Sequence, residues 1–243
     1  WPAMPFSSLG LIPALVRAVD KAGYAAPTAI QAAAIPAILR GSDVLGAAQT
    51  GSGKTAAYAL PLLQALMAPA AGPRQVRALI LVPTRELAAQ VGQTVHALAK
   101  PLPVKLKISV LFGGVSINPQ MMDLRGGADI VVATPGRLLD LVKHNAVKLG
   151  GVQLFVLDEA DRLLDMGFSE EINAILALLP AKRQNLFFSA TFPDSVQALA
   201  DSLLADPVRI EVASEPQDKP DIAQRAITVD VPRRTQLLRY LIL

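Results

Sequence analysis

Seven short apolar runs frame this chain: Val44–Ala47, Ala78–Val82, Ile108–Leu111, Ile130–Ala133, Leu154–Leu157, Asn185–Phe188 and Val208–Val212. Most are continuously apolar instead of alternating, as strands are when both faces of their sheet are covered. Between them lie stretches with helical spacing, among them Arg85–Ala99, Glu170–Leu179 and Asp194–Leu204. Such an alternation predicts an α/β fold, a mostly parallel sheet with helices on both faces. The 243 residues suffice for one large α/β domain or two small ones, and with 52% hydrophobic but only 5% aromatic residues the core is built mainly of Ala, Leu, Val and Ile.

Composition removes several classes. There is no Cys, so disulfides and thiolate metal sites are excluded. The most apolar stretch, Ala56 to Ala68, is interrupted by Pro61 and Gln64 and is too short to span a bilayer. No signal peptide is visible, and a cytoplasmic protein without a membrane partner is expected. Trp1-Pro2-Ala3 reads as a leader appended to a natural start at Met4. A net charge of +3 is too weak to establish nucleic-acid binding. His96 and His144 have no ligand-spaced partners and are read as surface residues.

Chemistry gathers where the runs end. Behind Val44–Ala47 stands Ala48-Gln49-Thr50-Gly51-Ser52-Gly53-Lys54-Thr55. Thr50, Gly51, Ser52 and Gly53 permit a tight loop whose backbone N–H groups converge on phosphate oxygens, backed by the positive end of the following helix. Lys54 would reach the β and γ phosphates and the Thr55 hydroxyl a magnesium ion. The usual pattern opens with Gly, where this chain has Ala48. Behind Leu154–Leu157 stands Asp158-Glu159-Ala160-Asp161. An acid delivered to a sheet edge can hold magnesium, and a second can polarise a water. Asp158 is the expected metal group, Glu159 the water-activating group.

The other strand ends carry Pro83-Thr84-Arg85-Glu86, Gly113-Gly114, Thr134-Pro135-Gly136-Arg137 and Ser189-Ala190-Thr191. A parallel sheet puts them all along one edge. Thr84 and Thr134 suit helix N-caps, each with an arginine close behind, and helix N-termini with arginines suit the phosphates of an extended strand. Few aromatics stand among these motifs, so backbone-directed, sequence-independent binding is expected over base stacking. Ser189 and Thr191 are expected to hydrogen-bond Asp161 and so couple the phosphate side to the nucleic-acid side. Upstream, Gln31 is expected to pair with the adenine N6 and N7 edge and Phe6 to stack on the base, although Phe6 taken singly reads first as a core or staple residue.

These motifs, in this order, resemble those of the DEAD-box ATP-dependent RNA helicases over nearly the whole chain. Gly113–Met122 and His144–Leu149 look most like the bacterial RhlE group. The resemblance implies a RecA-like first domain, with ATP, magnesium and RNA as ligands, hydrolysis coupled to duplex unwinding, and a second RecA-like domain whose arginines complete the ATP site. An arginine finger is worth about 10³–10⁵ in rate. The expected division is a RecA-like domain over 1–212, a linker over 213–224 and the start of a second domain over 225–243, with a strand at Ala226–Val231 and a helix at Arg234–Leu243. The isolated chain is expected to bind adenine nucleotide with little RNA-stimulated turnover. Two other functions stay open, a DNA-dependent P-loop ATPase and a non-catalytic ATP-dependent RNA clamp. Glu159 argues against the clamp, which needs no water-activating group.

Overall fold

All seven apolar runs become strands. The computed structural model of the protein describes residues 4–68, 72–212 and 227–242. The strands are β1 (Val44–Ala47), β2 (Ala78–Leu81), β3 (Ile108–Leu111), β4 (Ile130–Ala133), β5 (Leu154–Leu157), β6 (Gln184–Ser189) and β7 (Val208–Glu211). They form one sheet in the order β3-β4-β2-β5-β6-β1-β7. Every pairing is parallel, with Val44 level with Leu186 on one side and Val208 on the other.

The helices are α1 (Pro13–Lys21), α2 (Ala29–Leu39), α3 (Lys54–Ala65), α4 (Arg85–Ala99), α5 (Asn118–Asp123), α6 (Pro135–Lys143), α7 (Ala160–Asp165), α8 (Ser169–Leu176), α9 (Asp194–Leu203) and α10 (Arg234–Ile242). Two apolar clusters lie on the two faces of the sheet. Ile80, Val132, Val156 and Phe188 point into the cluster shared with α1, α2, α3 and α4. Their neighbours Leu79, Val131, Phe155 and Phe187 point into the one shared with α6, α7, α8 and α9. The period-2 alternation of a strand thus feeds two cores at once, which is why both positions are apolar. Helix α3 is buried almost all round from Ala56 to Leu63, as a helix apolar on every side must be.

Two compact units are present, residues 1–213 and 214–243. In the second, residues 227–230 form no strand, Val231–Arg233 is a short 3-10 helix, and α10 follows. The helix expectation stands for the described residues and the strand expectation is corrected. Apolar spacing predicts extended backbone, but a strand also needs a ladder partner, and Ile227–Asp230 has none among the described residues. The linker expected over 213–224 lies outside the described residues, as do Trp1 to Ala3. Among the described residues no helix is long and apolar enough to cross a membrane.

Candidate active site

The strand order turns scattered motifs into a row. Read along the C-terminal edge of the sheet, β3 presents Gly113-Gly114, β4 Thr134–Arg137, β2 Pro83–Glu86, β5 Asp158–Asp161, β6 Ser189–Thr191 and β1 the glycine-rich loop. The three stations expected to meet a nucleic-acid backbone are neighbours, the phosphate loop lies at the other end, and the acids with Ser189–Thr191 stand between them.

The loop is shaped by glycines where the chain requires them. Gly51 and Gly53 have φ of 85° and 95°, a region that L side chains avoid. A Cβ on Gly53 would also meet Gln31 Nε2 at 2.5 Å. Ala48 lies in the core at 3% exposure with ordinary backbone, so its methyl is accommodated where the usual pattern has Gly. The Lys54 amine is buried and donates to the Ala48 carbonyl at 2.8 Å, spanning the loop from within. Ser52 Oγ is buried without a partner. An orphaned hydroxyl, an ammonium and open backbone glycines form a donor set suited to phosphate oxygens.

Gln31 is 1% exposed. Its Oε1 accepts from Thr28 N–H at 3.0 Å as half of a capping box on α2, and its Nε2 donates to the Gly53 carbonyl at 3.1 Å. Each end keeps one further site, an N–H and a lone pair, which is the pair that adenine requires. Phe6 is a core residue, 5% exposed and edge-on to Tyr24 at 6.3 Å, and its ring offers no open platform.

Asp158 is 2% exposed. Its Oδ2 accepts from the Tyr58 hydroxyl and its Oδ1 from the Glu159 N–H, each at 2.9 Å. Burial pushes its pKa up to about 6 against the pull of the Lys54 ammonium and the Tyr58 hydroxyl. The same burial, with the nearby Asp158 charge, holds the Tyr58 phenol well above its usual value. Glu159 sits in the left-handed region at φ 52° and ψ 52°, an unusual conformation for a non-glycine residue, at the elbow between β5 and α7. Its Oε1 lies 3.5 Å from Thr50 Oγ1 and its Oε2 3.4 Å from Arg162 Nη1. The acid and the phosphate loop therefore face each other directly.

Asp161 and β6 are joined as expected, with one difference of detail. Thr191 donates both its hydroxyl (2.9 Å) and its N–H (3.0 Å) to Asp161 Oδ2. Ser189 Oγ accepts from the Asp161 N–H and donates to the Thr191 carbonyl, so it meets the Asp161 backbone and not the carboxylate. Burial raises the Asp161 pKa, but the bonds from Thr191 and the Arg162 N–H outweigh it and hold the carboxyl below its ordinary value.

At the far end of the row, Thr84 caps α4 by accepting from Leu87 N–H at 3.2 Å, with Pro83 just ahead of it. Arg85 lies over the Phe112 ring at 5.5 Å, linking the ends of β2 and β3. Thr134 has N-cap backbone but makes no side-chain cap bond. Arg137 is buried at 9%, donates from Nη2 to the Val115 carbonyl at 2.7 Å, and leaves Nε and Nη1 without a hydrogen-bond partner. It braces the Gly113–Val115 loop against α6, and with Nε 4.0 Å from Asp140 Oδ2 only Nη1 is left for a further acceptor. Gly113, Gly114 and Gly136 have nothing within 4 Å of where a Cβ would stand, leaving backbone open to a close approach. Both histidines are exposed.

Two functional neighbours escaped the sequence reading. Tyr58 follows Lys54 by four residues, the spacing that puts both on one helix face, and Arg162 follows Glu159 by three. Both signals were present as spacing alone.

A seven-stranded parallel sheet with a glycine-rich phosphate loop on β1 and an acidic pair on β5 is a RecA-like nucleotide-binding domain. Residues 28–199 match the family described as DEAD/DEAH box helicase, and the chain belongs to that family. It is 41% identical, over 98% of its length, to the ATP-dependent RNA helicase DeaD of Buchnera aphidicola. Identity is 42% over 99% of the chain to the ATP-dependent rRNA helicase rrp3 of Emericella nidulans. To the DEAD-box ATP-dependent RNA helicase RhpA of Helicobacter pylori it is 38% over 98%. The chain spans 39%, 51% and 47% of these three relatives' own lengths.

Proposed function

We propose that this chain is the nucleotide-binding half of an ATP-dependent RNA helicase, binding ATP with magnesium at the β1 loop and an RNA backbone at the ends of β3, β4 and β2. The observation that carries the reading is the approach of Glu159 to Thr50 across the ends of β5 and β1. It joins a phosphate cradle to the group that would orient water. The relatives named as RNA helicases supply RNA as the nucleic acid in preference to DNA. The RhlE-like grouping rests on Gly113–Met122 and His144–Leu149 of this sequence alone.

The residues fit the ligands. Among the described residues no group of three or more His, Cys, Asp or Glu side chains is gathered. Magnesium needs no such group, since it keeps several of its waters and takes one or two protein groups plus phosphates. Thr55 and Asp158 are the groups that would hold it, and when bound it would neutralise charge on the phosphates. Lys54 would exchange the Ala48 carbonyl for phosphate oxygens, the loop N–H groups would fix the chain of phosphates, and Glu159 would hold the attacking water. Hydrolysis coupled to unwinding belongs to the longer, two-domain architecture, in which the arginines expected of a second RecA-like domain complete the site. Asp161, Ser189 and Thr191 are assigned to coupling because they tie the acid station to the strand beside the loop.

Titration of the chain with ATP and magnesium by calorimetry tests the reading. Binding is expected, with ATP favoured over GTP, and Lys54→Ala is expected to weaken it by about two orders of magnitude, as removal of a charged phosphate contact does. Unchanged binding by that variant would overturn the assignment of the loop. In a phosphate-release assay the 243-residue chain is expected to show little RNA stimulation, and robust stimulation would refute the need for groups from a second domain.

A further inference from the structure

We propose that Tyr58 is a positioning residue for the cation side of the site, its phenol holding the Asp158 carboxylate in the orientation that engages the divalent ion accompanying the nucleotide. The inference rests on the reading of the β1 loop as a nucleotide-phosphate site.

Tyr58 lies in Ala56–Leu63, where every residue of α3 is buried. It is fully buried itself, at 0% exposure. A phenylalanine would fill nearly the same volume there without a hydroxyl to desolvate. Burying that hydroxyl is unfavourable unless it is bonded, and a charge-assisted bond to a carboxylate is the strong way to satisfy it. The bond is short, 2.9 Å to Asp158 Oδ2.

Thr55, the other group assigned to magnesium, lies three residues ahead on the same helix, the spacing that puts it on one face with Tyr58. The Tyr58 ring is fixed from the other side by Phe188, with centroids 5.5 Å apart. Phe188 is held in turn against Gly46, where an added Cβ would come within 2.5 Å of the ring. The phenol is thus packed into the core and cannot follow the carboxylate if that turns. The carboxylate is pinned at both oxygens, by Tyr58 and by the Glu159 N–H. Each oxygen keeps a further lone pair, so the arrangement orients the acid without exhausting it. Partners of this kind behind a metal ligand change metal affinity by about 10- to 100-fold when removed.

The test uses the 243-residue chain and its Tyr58→Phe variant, with a fluorescent adenine nucleotide as probe, titrated with MgCl2 and separately in EDTA. Tyr58→Phe is expected to leave binding in EDTA nearly unchanged and to lower the thermal midpoint by several degrees, the loss of one dry charge-assisted bond. The magnesium concentration at half effect is expected to rise about tenfold. Tyr58→Leu, which also removes the ring, is expected to lower the thermal midpoint further, separating packing from orientation. An unchanged magnesium midpoint in Tyr58→Phe, with normal nucleotide binding by the parent, overturns this inference alone. Failure of the parent to bind nucleotide overturns the reading of the loop, and this inference with it.

Discussion

Thr191→Val isolates the link between the acidic station and β6. Valine matches threonine in size and keeps the N–H that donates to Asp161 Oδ2 at 3.0 Å, removing only the hydroxyl that donates at 2.9 Å. A hydrogen bond to a charged acceptor contributes about 1.5–3 kcal/mol when dry. Thr191 is exposed and Asp161 half-buried, so water replaces much of the lost donor and the expected loss is about 0.5–1 kcal/mol. The pH dependence gives the sharper check. Burial raises the Asp161 pKa, but hydrogen bonds from Thr191 and the Arg162 N–H outweigh it and hold the carboxyl below its ordinary value. A depressed folded pKa means the unfolded chain binds more protons, so the contribution is present above the unfolded value and lost as pH falls through the folded one. Urea unfolding of the parent, Thr191→Val, Asp161→Asn and the double variant should give a favourable coupling energy at pH 7. The coupling should shrink as the carboxyl is protonated in acid. A Thr191→Val penalty that persists undiminished after protonation, or no penalty at pH 7, would refute the argument.

Two further perturbations follow from burial and backbone. Asp158→Asn should stabilise the chain in chelator at neutral pH by up to roughly 3 kcal/mol, the burden of a buried charged carboxyl whose pKa stands at about 6. The native state holds its proton to higher pH than the unfolded chain does, so parent stability should fall as pH rises through that window, and the variant should be flat. Equal midpoints in urea at pH 8 would refute this. Gly127→Ala should destabilise by about 3 kcal/mol or more, since its φ is +82° and a Cβ would lie 2.2 Å from the Arg74 carbonyl oxygen. Thermal unfolding within a degree of the parent would contradict it.

The strands were legible because a doubly covered parallel strand reads as an apolar run, and β1, β3, β4 and β5 fall where the pattern puts them. Helix ends were less so: α8 stops at Leu176, yet Leu179 beyond it is still buried, so apolar spacing outlasts the helix. The placement of the motifs at strand ends was legible, but strand order was not. Runs such as Ala78–Leu81 and Ile130–Ala133 are alike in composition, and nothing local says that β1 lies beside β6. Tyr58 was hidden for a related reason: within an apolar helix its ring is read as core, and the partner that gives its hydroxyl meaning is 100 residues away. Gln31 was read toward adenine, although Thr28 and Gln31 carry the spacing of a capping box, and the structure uses its amide there and on Gly53.

The neighbours of β1 carry a consequence for biosynthesis. Strand β1 appears early in the chain, but it pairs only with β6 and β7, near the end of the first unit. The first residue of its loop, Ala48, donates its N–H to the Ser189 carbonyl. A chain emerging from a ribosome thus exposes the glycine-rich segment more than a hundred residues before the strands that will hold it in place. Pairings of such sequence separation form late and slowly. The nucleotide binding proposed for the loop would then await the complete sheet, so a chain stalled or cleaved between β5 and β6 keeps the loop's sequence but not the geometry on which that proposal rests.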